Sequence, residues 1–254
     1  MKRILSLFHS GVGNTKLVAE RITSFLQSKK IAVKNFSVEH FYSEKINDYE
    51  FLIIGFPTYF LEASKVMNEF IASLPRYEKQ KYAFIYTTCG LFSANTLYNF
   101  AGKLHEKNIH IVHSAVYRCP ATDFVLIMPS FRPTLSFENN LQSHIERDLK
   151  RTFYCFKNRE INPPEFKLYS LLTKPMEAVE RKNTIQINND LCTVCGKCVR
   201  NCPHKCFSKN DNGISFEIEN CENCYRCIHH CPARALSLNG KTPKILFDNA
   251  FYMC

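Results

Sequence analysis

The sequence predicts an α/β protein: a doubly wound, five-stranded parallel sheet followed by a small, cysteine-rich α+β domain. Two observations carry that expectation. Over residues 2–159 short apolar runs alternate with segments of helical period, the pattern of a parallel sheet crossed by helices. Over residues 183–254 the alternation stops, and ten of the thirteen cysteines appear there. A chain of 254 residues, 45% hydrophobic and 22% charged, can fill two cores and is too apolar for wholesale disorder.

Residues 2–9 read as a buried first strand. Residues 15–28 read as a helix, with Leu17, Val18, Ile22, Phe25 and Leu26 on one face. Ala32 to Ser37 is a second strand and Tyr49 to Gly55 a third, apolar throughout as a strand covered on both faces should be. A helix from about Glu62 to Leu74 precedes a fourth strand at Lys81 to Thr87. A helix from Ser93 to Lys107 leads to a fifth strand at His110 to Tyr117. From Phe137 to Arg159, Leu141, Ile145, Leu149, Phe153 and Phe156 step by three and four. That spacing marks an amphipathic helix whose other face carries Arg147, Lys150, Arg151 and Lys157.

Ligands of such sheets sit at the carboxyl ends of the strands. Three connections emerge there: Ser10-Gly11-Val12-Gly13-Asn14-Thr15, Pro57-Thr58-Tyr59-Phe60 and Thr88-Cys89-Gly90-Leu91. In the first, glycines let backbone N–H groups turn inward and the helix start adds a positive dipole end. Ser10, Asn14 and Thr15 add donors, and together they make an anion site. The Lys-Ser/Thr of a nucleotide P-loop and the third glycine of a dinucleotide fingerprint are missing.

The C-terminal region repeats itself. Cys192, Cys195, Cys198 and Cys202-Pro203 form CxxCxxCxxxCP, and Cys221, Cys224, Cys227 and Cys231-Pro232 form it again at an offset of 29. Two-residue gaps let three thiolates of one loop converge on a cubane, and the fourth cysteine reaches the cluster of the other half. Cys192, Cys195, Cys198 and Cys231 are therefore assigned to one [4Fe–4S] cluster, and Cys221, Cys224, Cys227 and Cys202 to a second. Zinc, the competing metal, gives no reason for the third cysteine or for the prolines. Cys206 falls outside the pattern and reads as a small buried residue. Cys254 has no assigned role.

Over residues 183–240 this block is similar to bacterial-type two-cluster ferredoxins. The Ser10–Thr15 turn, in its strand–helix setting, resembles the flavodoxin phosphate loop. Together they resemble the flavodoxin–ferredoxin fusion proteins of anaerobic bacteria and archaea. The resemblance implies an FMN domain at 1–159 and a two-cluster domain at 183–240. It also implies that the later two loops bracket the isoalloxazine, with Tyr59 stacking on it and Thr88, Cys89 and Gly90 at its other edge. A looser carry-over puts Asp123 or Phe124 against the ring. Asn162-Pro163-Pro164 and Lys174-Pro175 mark residues 160–182 as a connector. The apolar tail, 241–254, is expected to pack on a domain or on a second subunit of a homodimer.

The functional expectation is electron transfer between a low-potential partner, two clusters and FMN. A reductase of a small molecule competes with it, Phe124, Phe131 and Arg132 forming part of its substrate wall. A cluster-loss sensor would need a DNA-binding or signalling module, for which no pattern exists. His9 and His113 read as structural, and the histidines show no metal spacing. The partners are redox proteins, with an acidic ferredoxin-type protein suited to Arg147, Lys150 and Arg151. Nucleic acid is not expected, since a formal charge of +10 drops to about +4 once clusters and flavin phosphate are counted. No apolar run approaches the roughly 20 residues of a membrane span, and the five-residue stretch Ile4–Phe8 is too short for a signal peptide. The expected location is the cytoplasm.

Overall fold

A computed structural model of the chain describes residues 3–41, 43–123, 126, 135–168, 184–243 and 247. The first half is a three-layer sandwich. Parallel strands β1 (Ile4–Phe8), β2 (Val33–Ser37), β3 (Phe51–Tyr59), β5 (Lys81–Cys89) and β6 (Ile109–Arg118) lie in the order β2-β1-β3-β5-β6. The reversal of direction beside β1 leaves a crevice at the carboxyl ends of β1 and β3, where such sheets hold ligands. A two-residue strand, β4 (Glu62–Ala63), pairs antiparallel with the end of β3.

Helices cover both faces because the central strands are apolar on both. Helices α1 (Asn14–Ser28) and α4 (Leu141–Lys157) bury Val18, Ile22, Leu26, Leu141, Ile145 and Leu149 against one face. Helices α2 (Lys65–Ser73) and α3 (Thr96–Glu106) bury Met67, Ile71, Phe100 and Leu104 against the other. Gly55 has a packing reason: a Cβ there would stand 2.0 Å from Cζ of Tyr86, the ring that crosses it from β5.

Several boundaries differ from the sequence reading. Strand β3 continues through Pro57 to Tyr59, because β5 pairs with it as far as Pro57↔Thr88 and β4 turns back on it. Phe60 and Leu61 make that turn at φ 48° and 65°. Helix α2 starts at Lys65, since β4 takes Glu62 and Ala63. Ser64 caps it, its Oγ accepting from the Met67 amide. Thr88 and Cys89 belong to β5.

The cysteine-rich half repeats in space as it does in sequence. Strands β7 (Ile185–Ile187) and β10 (Leu236–Leu238) pair antiparallel, as do β8 (Phe207–Asn210) and β9 (Gly213–Phe216). Short helices α5 (Lys197–Asn201) and α6 (Arg226–His229) follow the two cysteine loops. Left-handed residues recur at the same offset of 29: Val194 and Asn223, Gly196 and Tyr225, Lys205 and Arg234.

The connector is described as far as residue 168. Asn162 donates its amide to Ile111 O, and Lys167 donates its amide to Asn95 Oδ1, so this stretch lies along the edge strand and the start of α3. Of the tail, Phe247 is buried with Val12 and stacks on His229 at 4.8 Å. Ile245, Leu246, Phe251 and Tyr252 lie outside the described residues. Among the described residues no helix is long and apolar enough to cross a membrane.

Candidate functional site

One cleft opens at the carboxyl edge of the sheet. It is lined by Ser10–Val12, Asn14 and Thr15, by Pro57–Leu61 and Thr88–Phe92, and by Cys119–Asp123, with about 940 Å³ of atom-free space including its mouth. Gly13 caps α1 at φ 129°, a conformation that glycine adopts without strain, and its amide donates to Ser10 Oγ at 3.1 Å. Buried Asn14 and Thr15 begin the helix. Asn14 Nδ2 donates to Pro120 O at 2.8 Å, and Thr15 Oγ1 lies 2.7 Å from Thr88 Oγ1. These bonds tie the first and third loops to the 119–121 segment, and Thr58 Oγ1, 2.8 Å from Thr87 Oγ1, joins the second loop to the same wall. Of the loop residues named from the sequence, all but Gly13 line the cleft, and Gly13 braces it.

Tyr59 lies with its hydroxyl over Gly11, 2.1 Å from where a Cβ would be. The bare glycine is thus a cradle that only hydrogen leaves free. Burial, then nearby Cys224 and Glu222, raise the Tyr59 phenol well above its ordinary pKa, so the hydroxyl is neutral. Burial pushes the Cys89 thiol up to about 12 and raises Cys119 as well, which disfavours the thiolate at both. Phe124, Phe131 and Arg132 lie outside the described residues; Asp123 lines the cleft.

Two cavities lie in the cysteine-rich half. Cys192, Cys195, Cys198 and Cys231 line one; Cys202, Cys221, Cys224 and Cys227 line the other, with Cys206 beside them. Each quartet takes three cysteines from one loop and the proline-flanked fourth from the other half. The amides of Cys206 and Ala235, equivalent in the repeat, donate to Cys202 Sγ and Cys231 Sγ at 3.4 and 3.3 Å. Such bonds stabilise thiolate ligands and tune a cluster's potential. Among the described residues, no three His, Cys, Asp or Glu side chains converge closely enough for a single metal ion. Quartets spread around a cavity suit a cubane, whose iron corners stand apart, better than one zinc ion.

A flavodoxin family model matches residues 7–110, and one for a 4Fe-4S dicluster domain matches residues 184–232. The chain is a flavodoxin–ferredoxin fusion. The donor-lined cleft with its glycine cradle and aromatic wall fits FMN, and the two cysteine quartets fit two [4Fe–4S] clusters. Among solved structures the fusion is similar to a flavodoxin from Streptococcus pneumoniae TIGR4, at 15% identity over 60% of this chain and 98% of that one, TM-score 0.48. A flavodoxin from the domain Archaea is 18% identical over 61% and 99%, TM-score 0.43. Megasphaera elsdenii flavodoxin is 17% identical over 44% and 84%, TM-score 0.41. No curated protein matches the chain.

The two halves of the fusion meet at the cleft itself. Asn223 and Tyr225, from the loop bearing Cys221 and Cys224, complete its lining. A Cβ on Gly11 would lie 3.5 Å from Cys224 Cβ. Next to them Glu222 accepts the Lys65 amide at the start of α2 and pairs with buried His204 at 3.0 Å. His229 Nδ1 accepts the Phe247 amide, so its Nε2 donates to Thr122 O at 3.1 Å. Arg226 reaches Glu39 and the carbonyls of Ser10 and Gly11.

Of these seam residues, Glu39, His204, Glu222, Asn223, Tyr225, Arg226 and His229 were not identified from the sequence. Asn223, Tyr225 and Arg226 stand where the first half has Val194, Gly196 and Lys197, but every residue between the cysteines differs from its counterpart, so the repeat carried no signal that singles these out.

Proposed function

We propose that the chain relays electrons between an external redox protein and FMN, with one cluster proximal to the cleft and one distal. The observation that supports it is the shared wall, in which the loop of Cys221 and Cys224 also lines the cleft of Ser10–Thr15. Cys202, Cys221, Cys224 and Cys227 hold the proximal cluster. Cys192, Cys195, Cys198 and Cys231 hold the distal one, where Cys195 is exposed and Cys224 of the other set is buried. Bound FMN exchanges two electrons, together as hydride or singly, and each cubane exchanges one. The residues supply the positions: amides and hydroxyls of Ser10–Thr15 for the phosphate, Pro57–Phe60 and Thr88–Leu91 for the ring.

The adjacency lies within one chain, so the relay needs no dimer. The partner surface belongs to the distal end. Exposed Lys197, Arg200 and Lys209 surround Cys195, Arg200 bonding Cys195 O at 3.1 Å and Lys209 bonding Val194 O at 3.4 Å. An acidic redox protein fits there better than on α4. The carboxyl end of α4 lies toward the amino ends of the strands, where Phe153 and Phe156 pack on Phe51 and Tyr82. The reading places the protein in a reducing cytoplasm, which keeps cluster thiols available.

The experiment is a reductive titration of anaerobically purified protein with iron, sulfide and flavin assayed together. About eight iron, eight sulfide, one FMN and four electrons per chain are expected. Zinc, or iron without flavin, contradicts the reading. A second reading, a small-molecule reductase, draws on the part of the cleft lined by Leu61 and Phe92, beyond the two ring loops. It predicts rapid reoxidation by small electron acceptors and none by ferredoxin-type proteins.

A further inference from the structure

We infer that Arg226, a residue of the proximal cluster loop, positions the FMN phosphate loop, and that FMN affinity therefore depends on the assembled cluster. The inference rests on the flavin and cluster reading above and adds a coupling between the two cofactors.

Arg226 opens α6, one residue before Cys227 and two after Cys224. Its side chain is 11% exposed, and its donors are spent across the seam. Nε donates to Gly11 O at 2.7 Å and Nη2 to Ser10 O at 2.8 Å. Nη1 and Nη2 grip the two Glu39 oxygens at 2.8 and 2.7 Å, the fork-to-fork pairing that fixes a guanidinium's orientation. Nη1 also donates to Asn201 O at 3.0 Å, beside ligand Cys202. One side chain thus joins both halves of the cluster domain to the phosphate loop.

The consequence follows from peptide geometry. In a planar trans peptide the C=O and the next N–H point in opposite directions. With the carbonyls of Ser10 and Gly11 turned to Arg226, the amides of Gly11 and Val12 face away from it. Ser10, Gly11 and Val12 line the cleft and Arg226 does not. The guanidinium therefore aims two amides toward the cleft, where a phosphate takes them. It acts through the backbone and touches no phosphate, so it is a positioning residue. The equivalent residue of the first half, Lys197, is exposed, so this duty belongs to the proximal loop alone.

A loop held by three cluster ligands keeps Arg226 in place. Cluster loss frees the loop, the carbonyls lose their partner, and the amides lose their aim. By linkage, bound FMN should in turn retain the proximal cluster.

The test is fluorescence titration of flavin-stripped, cluster-loaded full-length protein with FMN and with riboflavin, which has no phosphate. For Arg226→Lys, which cannot span both carbonyls and Glu39, the Kd for FMN should rise about tenfold or more. The Kd for riboflavin should change less than about threefold, with iron and sulfide still at wild-type content. Glu39→Gln, outside both loops, should shift the FMN Kd in the same direction by less, and it serves if the arginine variant does not fold. Chelating the clusters from wild type should raise the FMN Kd as Arg226→Lys does. Unchanged FMN affinity in both variants, or equal losses for FMN and riboflavin, would overturn the inference while leaving the flavin reading intact. Failure of wild type to bind FMN at all would overturn both.

Discussion

At the residue scale, the phosphate loop is set by what Gly11 lacks. A methyl group there meets the Tyr59 hydroxyl at 2.1 Å, while the next ring atom, Cζ, stands at 3.4 Å. Gly11→Ala should therefore weaken FMN binding about tenfold or more by displacing the ring or the loop. Adding Tyr59→Phe should recover most of that loss, because it removes the one atom in collision. Flavin fluorescence titration of the two variants checks both.

His9 gives the seam a pH signature. Burial lowers its pKa to about 3; Glu39 opposes that shift, and Arg226 and His204 add to it. Its Nδ1 lies 2.7 Å from Ser64 Oγ, the cap of α2, so the neutral ring is built into the fold. The unfolded chain binds a proton near pH 6.5 that the folded one refuses until about 3. The contribution of His9 to stability is thus complete above about 6.5 and is lost progressively as pH falls toward 3. Urea midpoints at about pH 7.5 and 5.5 should drop in the wild type and drop less in His9→Gln.

At the element scale, the two cysteine loops show how far a sequence repeat predicts structure. Cys206 occupies the place that Ala235 holds in the second half, and in both it is the amide that bonds a cysteine sulfur. Cys206→Ala should therefore keep wild-type iron and sulfide. Loss of half the iron would make the thiol a ligand.

The order of strands and helices in the first half was legible because each element buries a face of regular period. The ends were less so: Pro57 reads as the start of a loop, yet β5 and β4 hold it in the sheet. The pairing with β5 depends on a partner about 30 residues on, Pro57 facing Thr88, which local periodicity does not record. The phosphate loop and the eight spaced cysteines were legible because their chemistry fixes local spacing. The partners of Glu39, Glu222 and Arg226 were not, since Arg226 and Gly11 are 215 residues apart.

At the scale of the whole molecule, the arrangement is polar. The cleft and proximal quartet share a seam, and the distal quartet faces outward among cations. Reversing charge with Lys197→Glu and Lys209→Glu should slow electron exchange with an acidic redox protein several-fold at low ionic strength. The effect should fade at high salt. The same reversal at Arg147, Lys150 and Arg151 on α4 should leave the rate unchanged. Stopped-flow rates across a salt series separate the two surfaces, with iron content confirming that the clusters remain.

The most direct test of the relay's layout is anomalous diffraction at the iron edge from crystals of the anaerobically prepared holoprotein. The account predicts two iron peaks, one within each cysteine quartet. Flavin density should fill the cleft, its phosphate against Ser10–Thr15 and its ring on the side of the Cys202, Cys221, Cys224 and Cys227 peak. A single peak, a zinc signal in either quartet, or flavin density remote from the Cys221–Cys227 loop would contradict it.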